Sequence, residues 1–119
     1  MKKIKEAIIV EGTYDKIKLS QLYDTVIVTT DGFGIYKNIS KVELIKKLAA
    51  KDGIIVLTDS DSAGFQIRNY IKNFVKKGVV KHAYIPDIEG KEKRKTKPSK
   101  EGFLGVEGIN DDIIIDAIE

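Results

Sequence analysis

The sequence predicts an α/β fold in which a mainly parallel, four-stranded sheet is flanked by helices. Three observations carry this expectation. Four apolar residues run together at Ile54–Leu57 and are cut off by Thr58-Asp59-Ser60-Asp61, the pattern of a strand covered on both faces. Beyond Gly64 the spacing changes, and Phe65, Ile67, Ile71, Phe74 and Val75 recur in the three- and four-residue steps of a helix. Strand-like and helix-like segments then alternate along most of the chain, which favours right-handed βαβ crossovers.

Taken in order, Glu6–Val10 is an apolar strand that runs into Glu11-Gly12. Thr13 is placed to cap a helix over Tyr14–Tyr23, with Ile17, Leu19 and Leu22 available for burial. Thr25–Thr30 is β-branched throughout and reads as the second strand, after which Asp31-Gly32-Phe33-Gly34 turns the chain. Ser40-Lys41-Val42-Glu43 fits a capping box and opens a helix to about Ala50, with Val42, Ile45 and Ala49 on one face. Asp52-Gly53 ends it, and the central strand and its helix follow. Gly78 sits where that helix should stop. Val79–Ile85 reads as a fourth strand closed by Pro86, residues 88–104 as a long loop, and Asn110 or Asp111 as the cap of a last helix built on Ile113, Ile114, Ala117 and Ile118.

Length and composition narrow the function. A chain of 119 residues, 42% hydrophobic and 33% charged, suits one soluble domain over residues 1–119 that buries a core without crosslinks. The absence of cysteine excludes disulfides, thiolate zinc sites and a cysteine nucleophile. A single histidine, His82, excludes a multi-histidine zinc site within one chain. The apolar run at Ala7–Val10 is too short for a signal-peptide core and no stretch approaches a membrane span, so no membrane partner and a cytoplasmic location are expected. The net charge of +3 is unevenly spread. Residues 90–100 alone carry +5, on Lys91, Lys93, Arg94, Lys95, Lys97 and Lys100 against one acid, which leaves the rest of the chain mildly acidic.

The acids carry the chemical signal. Parallel strands place their carboxyl ends on one edge, where ligands of open α/β sheets bind. If the first and third predicted strands are neighbours, Glu11 meets Asp59 and Asp61 there. Carboxylates so gathered repel one another and phosphate, so a hard divalent cation would make such a site workable. Magnesium commonly takes one or two protein carboxylates and fills its shell with water and phosphate oxygens. The plain alternative is that Asp59 and Asp61 cap the following helix. A calcium loop is excluded, because the match that starts at Asp59 fails at Ala63 and Tyr70. No GxxxxGK[ST] phosphate loop is present, and Gly32-x-Gly34 lacks the last glycine of a dinucleotide fingerprint. The basic residues at 91–100 can contact phosphates or simply form a solvated loop. Lys16 and Arg68 can each neutralise a phosphate oxygen or lie on an exposed helical face.

A strand ending in Glu-Gly, IIVEGTYDK, followed downstream by a strand ending in DxD with a glycine, IVLTDSDSAG, resembles the Toprim domain of topoisomerases, bacterial primases, OLD-type nucleases and the ribonuclease that matures 5S ribosomal RNA. The resemblance spans about residues 5–110. It is strongest to the last of these, through EG.YD, Gly32, KHAYIP at 81–86, the lysine-rich loop and GVE at 105–107. It implies a Rossmann-like Toprim fold, Mg2+ as cofactor, and nucleic acid as partner, RNA in preference to DNA. A ribosomal or other protein is a further candidate partner. It implies Asp59 and Asp61 as metal ligands and Glu11 as general acid or base or as a further ligand. Gly12 would permit a tight turn beside the site, Gly32 would follow the second strand, and Gly64 would allow close approach at the start of the helix. Asp15, Lys16 and Glu107 are secondary candidates. The implied activity is Mg2+-dependent cleavage of structured RNA such as a ribosomal RNA precursor. A non-catalytic nucleic-acid- or protein-binding module and a small primase-like enzyme are the alternatives. The topoisomerase tyrosine, the zinc-binding region of primases and the additional C-terminal domain of the maturation ribonuclease have no counterpart in these residues.

Overall fold

The computed structural model describes residues 2–59, 61–84 and 111–118. Its elements in chain order are β1 (Lys2–Lys3), β2 (Ala7–Val10), α1 (Thr13–Ser20), β3 (Tyr23–Asp24), β4 (Ile27–Thr29), a 3-10 segment (Gly32–Lys37), α2 (Ile39–Lys51), β5 (Ile54–Leu57), α3 (Ser62–Phe74), β6 (Val80–Ala83) and α4 (Asp111–Ile118). Four strands pair in the order β4-β2-β5-β6, every pair parallel, while β1 and β3 make a separate two-stranded pair. The expected α/β fold with a parallel sheet flanked by helices is what the chain forms.

Strand alternation decides which helix lies where. Ile8 and Val10 of β2, Ile27 of β4, and Ile55 and Leu57 of β5 pack with Leu19 of α1 and Ile114 of α4. Ala7 and Ile9 of β2, Val28 of β4, and Ile54 and Val56 of β5 pack instead with Ile45 and Ala49 of α2 and Ile67 and Ile71 of α3. All four residues of β2 and of β5 are buried for this reason. Burying each large aliphatic side chain contributes about 1.5–3 kcal/mol. None of the described helices is long and apolar enough to cross a membrane.

The order of strands creates the site. From β2 the chain moves outward through α1 to β4, then returns behind β2 through α2 to enter β5 on its other side. The direction of winding therefore reverses between β2 and β5. The crevice outside their carboxyl ends is the switch point of the sheet.

Local details differ from the sequence expectation at the helix ends. Gly12 rather than Thr13 is the N-cap of α1, and its N–H donates to Asp15 Oδ2 at 3.1 Å. The helix stops at Ser20, so Tyr23 is a buried residue of β3, and Ile17 faces solvent. Asn38, not Ser40, caps α2, its Oδ1 accepting the Lys41 N–H at 3.0 Å. α3 ends at Phe74, before Gly78. Gly78 has φ +101°, and a Cβ there would lie 2.0 Å from the Ala49 carbonyl oxygen, so it is needed where the chain turns against the end of α2. The end of the fourth strand at Ile85, the loop at 88–104 and Glu107 lie outside the described residues.

Candidate active site

Glu11 immediately follows β2 and Asp59 lies two residues beyond β5. The Asp59 N–H donates to Glu11 Oε1 at 2.8 Å, joining positions 48 residues apart. Neighbouring bonds hold Glu11 from both sides. The Gly32 N–H donates to the Glu11 carbonyl at 3.1 Å, and the Thr30 N–H to the Val10 carbonyl at 2.8 Å. Gly32 has φ +60°, in the left-handed region, directly after Asp31 at φ 57°.

Glu11 is only partly accessible, and this sets its charge. Burial pushes its carboxyl up to about 7 from an ordinary value of 4.5. The Asp59 N–H opposes that rise, whereas the charges of Asp59, Asp61 and Asp15 add to it. The carboxylates expected at this rim thus act on one group. Among the described residues, no three acidic or histidine side chains form a ready cage for a metal ion. Glu11 is in contact with Asp59, while Asp61 caps α3, its Oδ1 accepting the Gly64 N–H at 2.8 Å. The helix-capping alternative therefore describes one bond of Asp61. A carboxylate has about four acceptor sites, and the cap uses one. The donor set suits a hard divalent cation. It consists of oxygen atoms, and the penalty on ionised Glu11 is one a cation would remove.

Gly64 is where sequence and packing agree most closely. A Cβ at this position would lie 2.2 Å from the Asp59 carbonyl oxygen and 2.9 Å from Thr58 Oγ1. Only glycine lets α3 start this close to the end of β5. Gly12 corrects the expectation of a tight turn: its backbone is extended, with φ −137°, and a Cβ would meet nothing closer than Asp15 Oδ2 at 3.7 Å. Asp15 lies in the first turn of α1 with Gly12, and Lys16 is exposed. Glu107, Lys91, Lys93, Arg94, Lys95, Lys97 and Lys100 lie outside the described residues.

Arg68 is the residue the sequence reading placed least well. Its side chain is not on an exposed face: the residue is only 5% accessible. Nη1 donates to the Val56 carbonyl at 3.0 Å and Nη2 to the Ala83 carbonyl, so one guanidinium ties α3 to both β5 and β6. Burial lowers its pKa, and the negative charge of Glu11 works against that shift. The signal was available. Gly64, Ile67, Arg68 and Ile71 share the buried stripe of α3, and a cation at a core-facing step of such a stripe marks a buried partner set.

A Toprim domain matches residues 6–88 of this sequence. The chain belongs to the Toprim domain family. Among curated relatives, this Toprim chain is 41% identical over 115 residues to "Ribonuclease M5" of Clostridium botulinum, an overlap of 97% of this chain and 57% of that protein. It is 37% identical over 119 residues to "Ribonuclease M5" of Fusobacterium nucleatum, covering 99% of this chain and 58% of the relative. With "Ribonuclease M5" of Bacillus anthracis the identity is 33% over 117 residues, covering 98% and 58%. The Toprim chain thus spans a little over half the length of these relatives.

Proposed function

We propose that this Toprim domain is the phosphoryl-transfer unit of a Mg2+-dependent endoribonuclease that acts on structured RNA such as a ribosomal RNA precursor. The observation that carries the reading is Glu11: a carboxylate at the switch point of the sheet, held by the Asp59 N–H and surrounded by Asp15, Asp59 and Asp61. The relatives named as ribonucleases supply the substrate class.

Asp59 and Asp61 would hold Mg2+, with Glu11 sharing in the site. When bound, Mg2+ supplies Lewis acidity toward a phosphoryl oxygen and lowers the pKa of a bound water. The rest is done by the chain. The hydrogen bond at Oε1 fixes the orientation of the Glu11 carboxylate, which leaves Oε2 to take or return a proton. Partial burial raises the basicity of this group, so that it can exchange a proton near neutral pH. Gly64 and the Asp61 cap set the start of α3 against the Asp59 backbone, which positions both aspartates. Arg68 is a positioning residue that locks α3 to the ends of β5 and β6.

The test is cleavage of precursor ribosomal RNA and generic structured RNA, with Mg2+ and with chelator, by wild type and Glu11→Gln. An enzyme of this kind loses turnover in the variant and in chelator while RNA binding stays nearly intact. Equal, metal-independent behaviour of the two proteins would identify a binding module. Nucleotide incorporation on a single-stranded template would identify a primase-like enzyme.

A further inference from the structure

A second cleft lies beside the acidic rim, between α3 and β6. It has a volume of about 350 Å3, within the ~300–1,000 Å3 range of small-ligand sites. Two periodicities build it. Phe65, Arg68, Asn69 and Lys72 follow one another at helix steps on one face of α3, and Val80 and His82 alternate onto one face of β6, with Tyr84 just beyond its end. β6 is the edge of the described sheet, so this face of α3 overhangs it without a further strand alongside.

The lining has a definite chemical character. Among the described residues it contains no carboxylate. Phe65 is 48% and Tyr84 60% exposed, so two aromatic rings are offered to solvent at the cleft. The Arg68 guanidinium lies 4.5 Å from the Tyr84 ring centroid, and the buried Arg68 Nε has no hydrogen-bond partner among the described residues. Arg68 Nη1 is 3.2 Å from His82 Nδ1. Because a guanidinium can only donate, Nδ1 is the acceptor and the ring proton sits on Nε2. Burial and the charges of Arg68 and Lys72 favour that neutral imidazole. The cleft therefore combines cations, hydrogen-bond donors and aromatic faces.

We infer that this cleft is a nucleotide subsite that seats one unpaired residue of an RNA strand, its base stacked on Tyr84 or Phe65 and its phosphate near Lys72. Stacking on aromatic rings with cationic support is how single-stranded nucleic acid is held without sequence preference. The inference rests on the RNA reading of the acidic rim, and it locates where the strand runs once it leaves that rim.

The experiment measures binding of a short single-stranded oligoribonucleotide, and separately of uridylate, to the full chain in chelator, where cleavage does not interfere. Tyr84→Ala and Phe65→Ala should each weaken oligonucleotide binding by roughly 5- to 150-fold, and Tyr84→Phe should restore it. Lys72→Ala should reduce the log–log salt slope by about 0.7. Because these three side chains are exposed, the variants should keep the wild-type circular dichroism. If the oligonucleotide binds and all three alanine variants bind it like wild type, the subsite is wrong while the RNA reading stands. If wild type does not bind the single-stranded oligonucleotide, the subsite is wrong; the RNA reading falls with it only if a structured RNA measured alongside is also left unbound. Equal affinity for uridylate and the oligonucleotide overturns the strand assignment in favour of a free nucleotide.

Discussion

Replacing Glu11 by glutamine should stabilise the metal-free protein at pH 8 and leave its stability nearly unchanged at pH 4. In the unfolded chain this carboxyl titrates near 4.5, whereas in the folded protein it titrates near 7. Between those values the folded state holds a proton that the unfolded state has released. Stability therefore falls as pH rises from 4.5 through 7, and the full penalty is present above the folded value. At 1.36 kcal/mol per pKa unit, the penalty is at most about 3 kcal/mol. Glutamine has no charge to bury, and its side-chain oxygen can still accept the Asp59 N–H. The assay is urea unfolding of wild type and variant in chelator across pH 4–8. The difference should open from near zero to as much as about 3 kcal/mol in favour of the variant. Saturating Mg2+ should then stabilise wild type more than the variant, because only the folded acid site binds the ion. A variant less stable than wild type at pH 8, or a difference that does not change with pH, would refute the reasoning.

Three further outcomes follow from the geometry. Gly64→Ala forces a methyl against the Asp59 carbonyl and should cost about 1–3 kcal/mol or more in urea unfolding, with loss of RNA cleavage. Arg68→Leu removes the charged hydrogen bonds to the Val56 and Ala83 carbonyls and should lower stability by about 1.5–3 kcal/mol per bond, read as a lower melting temperature. Removing residues 91–100 should weaken RNA binding and flatten its salt dependence, by a log–log slope of about 4 to 5 if all six cations contact phosphate. Unchanged affinity across a salt series rejects that role.

Much of the fold was legible because it depends on long apolar patterns. Glu6–Val10 read as a short apolar strand and Ile54–Leu57 as a strand covered on both faces, and the sheet covers both with α1 and α4 on one face and α2 and α3 on the other. Parallel strands share a carboxyl edge, which put Glu11 and Asp59 on one rim, but their contact depended on β2 and β5 being neighbours, which the sheet order supplies. What escaped depends on single atoms. Thr13 and Ser40 are good capping residues, but Gly12 and Asn38 stand one or two positions earlier and hold the cap positions. β1 and β3 have two residues each, too few to show any period. Helix capping was offered for Asp59 and Asp61 alike, and only side-chain orientation shows that Asp61 is the one that caps α3. The buried stripe of α3 marks Arg68 as core-facing, but its partners are carbonyls supplied by two different strands, which the stripe does not identify.

The Asp59–Glu11 bond also bears on how the molecule comes into being. Its two ends belong to adjacent central strands, yet α1, β4 and α2 must be synthesised between them. A nascent polypeptide that has left the ribosome only as far as Lys51 holds Glu11 without the backbone amide that orients it. The orientation of Glu11 is thus completed only once β5 has docked beside β2, after more than a third of the chain has been added beyond it.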